Sequence, residues 1–219
     1  MAEKDIDFEK MCSKMIEKQL KRRGIKNKKV LEAFRVVPRH EFVPADKKKF
    51  AYEDRPLPIG AGQTISQPYI VAQMIAALDP RAEDKILEVG TGSGYAAAIL
   101  AQIVDRVYGL ERISKLAKKG ELNCHKLGYD NVEIKAGDGT TGWPEKSPFS
   151  GIIVSAAAPE IPEKLPEQLE EGGILVIPVG SKYSQRLLRI KKKNGNLKQQ
   201  NLGGVRFVSL IGEDGWSSE

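Results

Sequence analysis

Three acidic residues stand at comparable places in this 219-residue chain: Glu88 in LEVGTGSGY (87–95), Glu111 closing RVYGLE, and Asp138 in AGDG. Each follows a short apolar run, and the first leads straight into Gly90, Thr91, Gly92 and Gly94. Glycines between a strand and a helix let the backbone come close to a ligand and aim N–H groups at it. A dinucleotide fingerprint calls for glycine at 90, 92 and 95, but Tyr95 fills the third place, so this loop is one residue tighter. Glu88 brings negative charge into the loop, which suits a cationic ligand better than a pyrophosphate. Glu111, 21 positions after Gly90, is placed to accept from both hydroxyls of a ribose. Asp138 and Gly139 follow the third apolar run, at the same carboxyl edge where open α/β sheets bind ligands. Singly, each acid reads equally well as a strand-end cap or a solvated side chain. Together, after three successive strands and beside a glycine loop, they read as one nucleoside site.

A second segment with chemical potential is PLPIGAGQTISQPYIVAQMIAAL (56–78). Pro56 and Pro58 stiffen the approach, Gly60 and Gly62 permit close turns, and Gln63, Thr64, Ile65 and Ser66 follow. Ser66 is also placed to cap a helix over 67–78, with Pro68 tolerated in its first turn. A hydroxyl at a helix start attracts a carboxylate, so the capping and binding readings are compatible.

The elements that must hold these groups are legible in outline. Apolar spacing predicts helices over 5–23, ended by Gly24, and over 28–36. VVPRHEFVP and AYEDRPLPIGAGQ read as irregular because proline recurs. From residue 85 strands and helices alternate: KILEV, then helical YAAAILAQIV; RVYGLE, then helical SKLAKKGELNCHKLG; NVEIKAG; GIIVSA, then helical PEKLPEQLE; and GGILVIPVG. This spacing calls for a mostly parallel sheet covered on both faces. Asn194-Gly195 between two strand-like runs predicts a closing antiparallel hairpin. The expected organisation is one domain over 1–219, with an N-terminal helical extension (1–60), a core (61–180) and a C-terminal hairpin (181–219).

Composition adds exclusions. The net charge of +6, from 35 basic and 29 acidic residues, is scattered apart from KKK at 47–49 and 191–193 and reads as a solvated surface. No apolar run has the length of a membrane span, and the N-terminus lacks the uninterrupted apolar stretch of a signal peptide. Cys12 and Cys124 have no metal-type spacing, so reduced thiols, no metal and a cytoplasmic location are expected. His40 and His125 read as structural or surface residues.

LEVGTGSGY, VYGLE, AGDG and GIIVSAAAPEIPEKLPEQLEEGGILVIPVG together resemble the class I S-adenosylmethionine-dependent methyltransferases. RHEFVP, AYEDRPLPIGAGQTISQPYIVAQM and VRFVSLIGEDGW extend the likeness to nearly the whole chain; they are similar to the protein-L-isoaspartate (D-aspartate) O-methyltransferase family. The resemblance implies a Rossmann-like α/β fold with a mostly parallel seven-stranded sheet. It implies S-adenosylmethionine as methyl donor, held by Gln63, Thr64, Ile65, Glu88, Gly90, Thr91, Gly92, Glu111, Asp138 and Gly139, with S-adenosylhomocysteine as product. Isoaspartyl proteins and peptides would be the partners, seated by Ile59, Gln63, Thr64 and Ser66, with Ser66 catalytic. The implied outcome is repair: methylation of the isoaspartyl α-carboxyl, spontaneous cyclisation to a succinimide, and partial return to aspartyl. Ser209 stands where the family pattern has proline, and Ile211 where some members carry a hydroxyl residue. No nucleic-acid or membrane partner is expected, and a monomer is. A nucleic-acid methyltransferase would carry an Asn/Asp-Pro-Pro-Tyr/Phe motif after the fourth strand, where this chain has SAAAPE. A non-catalytic module on the same fold is the other alternative.

Overall fold

The computed structural model describes residues 6–217. Helix α1 (Phe8–Met15) starts at Asp7, whose side chain accepts from the Lys10 N–H, and runs on through one π-helical turn (Ile16–Leu20) and one 3₁₀ turn (Lys21–Arg23). Gly24, at φ +94°, ends it. The expected helix over 5–23 is therefore helical from Phe8 to Arg23 but not uniformly α; Ile6 and Asp7 precede it, and residue 5 lies outside the described residues. Asn27 caps α2 (Lys28–Val36) through the Lys29 and Val30 N–H groups.

The segment expected to be irregular contains two 3₁₀ turns (Arg39–Phe42, Ala45–Phe50) and a small antiparallel hairpin, β1 (Leu57–Gly60) with β2 (Gln63–Ile65). Ala61 and Gly62 turn it at φ +51° and +70°, the left-handed pair that two-residue hairpin loops favour. Helix α3 (Pro68–Leu78) follows. Ser66 does not cap it: the cap position is Gln67, and neither α3 nor its cap shows a side-chain capping bond. Pro68 at the first helical position has no N–H to satisfy, which removes part of the need for one.

The main sheet has strands β3 (Lys85–Val89), β4 (Arg106–Glu111), β5 (Val132–Ala136), β6 (Phe149–Val154), β7 (Leu169–Gly180), β8 (Gln185–Lys193) and β9 (Asn196–Val205). Their spatial order is β5-β4-β3-β6-β7-β8-β9, and β8 runs against the other strands, so the expected closing hairpin is present. Helices α4 (Tyr95–Ala101), α5 (Ser114–Lys126) and the short α6 (Lys164–Glu167) connect the strands. The helix read over 162–170 shrinks to α6 because Leu169 already pairs with Phe149 as β7 begins.

Successive strand residues feed opposite faces, as the strand period of two requires. Ile86, Val107, Ile153 and Val176 join the core beneath the N-terminal helices, while Leu87, Leu110, Ile152 and Leu175 join the other. Strands buried on both sides read as continuous apolar runs, which explains why KILEV and GIIV were recognisable. The chain builds outward from β3 to β5 and then returns to β6 on the other flank of β3. That reversal opens a crevice between the carboxyl ends of β3 and β6.

Candidate active site

The glycine loop lies at this crevice. The Gly90 N–H donates to the Leu110 carbonyl at 2.7 Å, with Gly90 at φ +84°, a conformation costly for any residue with a Cβ. Gly94 is needed for a different reason. A Cβ there would stand 2.7 Å from the Gly120 carbonyl oxygen and 2.9 Å from Cys124 Sγ, so the loop is pressed onto α5.

Glu111 ends β4 with little exposure (7%). Its Oε2 accepts the Gly92 N–H and its Oε1 the Ile113 N–H, both at 2.9 Å. Two backbone donors thus hold the carboxylate rigid, and each oxygen keeps a lone pair for a vicinal diol. It faces a cavity of about 290 Å³ together with Gln63, Thr64, Gly90, Gly92 and Gly139.

Glu88 is more deeply enclosed, at 1% exposure. Ser155 Oγ donates to its Oε1 across 3.4 Å, while Oε2 is buried with no partner among the described residues. Burial, with the charge of Glu111 adding to it, pushes the carboxyl pKa well above the usual range. Glu88 lines a small cavity of about 40 Å³, as do Thr91 and Tyr95, whose hydroxyls are likewise buried without partners. This space admits an ammonium-sized group, and a cation there would restore the ionised form of Glu88.

The third space is an open groove of about 910 Å³ that takes in Thr64, Ser66, Gln67 and Ser155. Thr64 and Ser155 line all three spaces, and Ser66 lines the groove and the small cavity. Nucleoside-sized cavity, cation pocket and open groove therefore meet at the 64–66 loop. Ile65 lines the small cavity.

Two expected site residues take other positions. Ile59 is 3% exposed and stands against Gly92, a packing role beneath the loop rather than a surface for a peptide. Asp138 is turned away from the cavity: Oδ1 accepts from the Thr140 N–H (2.8 Å) and hydroxyl (2.7 Å), and Oδ2 from the Glu213 N–H (2.7 Å). Its neighbour Gly139 does line the cavity, and a Cβ on Gly139 would fall 2.2 Å from Val89 Cγ1. His40 bonds to the Tyr52 hydroxyl (2.8 Å) and stacks on Phe8, and His125 is half-exposed on α5; neither lines the three spaces.

The site also contains residues that the sequence did not assign to it. Ser155, the first residue after β6, donates its N–H to Val89 and approaches the Gly90 position across the switch point. The C-terminal segment forms a wall: Ala157 accepts from the Leu210 N–H and donates to Val208, which brings Val208, Ser209 and Ile211 against the 290 Å³ cavity. The only sequence cue for Ser155 was its place at the end of the fourth strand.

A reversing parallel sheet, a tightened glycine loop at the reversal, and buried acidic side chains on two adjacent strands define the class I methyltransferase architecture. The family profile described as protein-L-isoaspartate(D-aspartate) O-methyltransferase matches residues 10–215. The chain belongs to this family. The protein-L-isoaspartate O-methyltransferase of Petrotoga mobilis is 54% identical over 213 residues, covering 96% of this chain and 100% of the relative. That of Dictyoglomus turgidum is 53% identical over 218 residues, 99% of each chain. A solved protein-L-isoaspartate O-methyltransferase superposes with a TM-score of 0.83 at 30% identity, over 93% of this chain and 67% of that one. A Plasmodium falciparum structure, described as a beta-aspartate methyltransferase in complex with S-adenosyl-L-homocysteine, gives 0.78 at 30% identity over 93% and 98%.

Proposed function

We propose that this chain transfers a methyl group from S-adenosylmethionine to the free α-carboxylate of L-isoaspartyl residues in damaged proteins and peptides. The observation that carries the reading is the meeting of the three spaces at Thr64 and Ser155, with Ser66 lining two of them, inside a fold belonging to the isoaspartyl methyltransferase family.

When bound, S-adenosylmethionine supplies an electrophilic methyl group on a sulfonium centre. Glu111 is suited to hold the ribose hydroxyls and Glu88 the cationic end, while Gln63, Thr64, Ile65, Gly90, Thr91, Gly92 and Gly139 shape the walls. Asp138 acts indirectly by pinning Glu213 and Thr140. The isoaspartyl carboxylate, with a pKa of about 3–4, is already ionised at neutral pH, so no general base is required. With the donor bound, its oxygen would take the methyl carbon as the carbon–sulfur bond gave way, the electron pair staying on sulfur. The chain's task is to orient the carboxylate and exclude water. Ser66, which lines the groove, would donate its hydroxyl to that carboxylate. The resulting ester cyclises to a succinimide without further help, and hydrolysis returns part of it to aspartate.

The reading extends to a one-domain monomer in the cytoplasm; the buried free thiols Cys12 and Cys124 are in keeping with a reducing location. The test is methyl transfer to a synthetic isoaspartyl peptide, its aspartyl twin and RNA. Transfer to the first alone is expected, and transfer to RNA or equal use of both peptides would refute the assignment. Ser66→Ala should lower turnover about 10- to 1000-fold with cofactor affinity nearly unchanged.

A further inference from the structure

Arg39, from the RHEFVP segment, is fully buried, yet its directional bonds go to carbonyl oxygens rather than to a carboxylate. Nε donates to Ala51 O at 2.6 Å, at the end of the second 3₁₀ turn, and Nη2 to Ser66 O at 2.7 Å. The guanidinium carbon lies 4.7 Å from the centre of the Tyr95 ring, which Phe34 and Phe42 meet edge-on. One buried cation therefore links the N-terminal lobe, the peptide unit of Ser66 and the first residue after the glycine loop.

Desolvating a guanidinium without an acidic partner is costly, and an apolar side chain of similar volume would usually serve packing better. What an apolar side chain cannot do is fix the plane of the Ser66 carbonyl. That plane sets where the Ser66 backbone, and so its hydroxyl, stands relative to the groove. The remaining nitrogen, Nη1, is buried without a partner meeting hydrogen-bond geometry, so beside the Tyr95 side chain the two carbonyls take the guanidinium's hydrogen bonds.

We propose that Arg39 is a positioning residue for methyl transfer: it holds the Ser66 peptide unit in register with the cofactor loop and does not itself touch the reactants. The inference rests on the function proposed above for the same site. It predicts a specific split. Loss of the Ser66 bond should misplace the acceptor carboxylate while leaving the Glu88 and Glu111 contacts intact.

The test uses the full chain with Arg39→Met and Arg39→Lys, an isoaspartyl hexapeptide as acceptor, and S-adenosylhomocysteine as the calorimetric probe. Per folded molecule, Arg39→Met should reduce kcat about 30- to 100-fold, with the probe's Kd changed less than about threefold. Arg39→Lys retains a cation and can still reach a carbonyl, so it should recover much of the loss, leaving a deficit of about 5- to 10-fold. If Arg39→Met proves unstable, the Lys variant alone carries the kcat-against-Kd comparison. A folded variant with unchanged kcat would overturn the proposal. So would a fall in kcat matched by an equal weakening of probe binding, since that would mark Arg39 as general scaffold. Absence of isoaspartyl methylation by the unsubstituted chain would instead refute the proposed function.

Discussion

Glu88 and Glu111 lie on adjacent parallel strands, two residues from opposite each other in register, and yet their surroundings differ. Glu111 is a carboxylate fixed by two N–H donors; Glu88 is enclosed with one unpartnered oxygen. Removing the first should cost the two charge-assisted bonds that a ribose would make. Glu111→Ala is therefore expected to weaken S-adenosylhomocysteine about 30- to 150-fold, roughly 2–3 kcal/mol, by calorimetry on the folded variant. The second carries a pH signature. Its folded pKa is raised above the ordinary 4.5, so the folded ligand-free chain binds this proton more tightly than the unfolded one. The associated stability is complete below about pH 4.5 and is lost as pH rises through the folded pKa. Glu88→Gln cannot lose a proton there, so its melting temperature should gain on the parent's as pH climbs from 4 to 8. Parallel melting curves across that range would contradict the assignment. Asp138 has the opposite sign: burial alone would raise its pKa, but the bonds from Glu213 and Thr140 outweigh burial and hold it below its usual value. Its contribution is present above about pH 3.8 and fades on acidification.

At the scale of elements, the β1–β2 hairpin decides where Gln63, Thr64 and Ile65 point, because its register pairs Leu57 with Ile65 and Pro58 with Thr64. The hairpin carries a local conflict. Ala61 is exposed and left-handed, a conformation that costs a residue with a Cβ about 1–2 kcal/mol. Asparagine tolerates it and would create the Asn-Gly pair that such turns favour. Ala61→Asn is expected to stabilise the chain by about 0.5–1 kcal/mol, a rise of roughly 1–4 °C in Tm for a protein of this size. A lower Tm would show that the turn is not limited by this strain. The same hairpin escaped recognition in the sequence because its strands are only four and three residues long, with Pro58 and Gly60 inside the first, which leaves too short an alternation to read.

For the molecule as a whole, the site is assembled from segments far apart in the chain: the 59–66 hairpin and loop, the glycine loop, the ends of β4 and β6, and the 208–211 wall. A ligand seated among them binds only the folded state. S-Adenosylhomocysteine at 100 times its Kd should therefore stabilise by about 2.7 kcal/mol and raise Tm by roughly 5–11 °C. A shift absent at saturation would mean that the ligand does not require the assembled crevice.

The sequence by itself determined the alternating core, the glycine loop, Glu88 and Glu111, and the closing hairpin at Asn194-Gly195. These depend on local rules: strand and helix periods, the φ freedom of glycine, and acids at strand ends. It also marked the 63–66 loop as special, without showing its form. Tertiary structure alone decided the rest. Ser66 is not a cap, because Pro68 moves the helix start onward and Arg39 takes its carbonyl instead. Asp138 turns to Thr140 and Glu213, because the C-terminal segment folds back onto it from 75 positions away. Ser155 was marked only by its place at the end of a strand and Arg39 only by its place in RHEFVP, and neither cue shows a role. Their importance arises from hydrogen bonds across 67 and 27 positions of chain, which no spacing rule can reach.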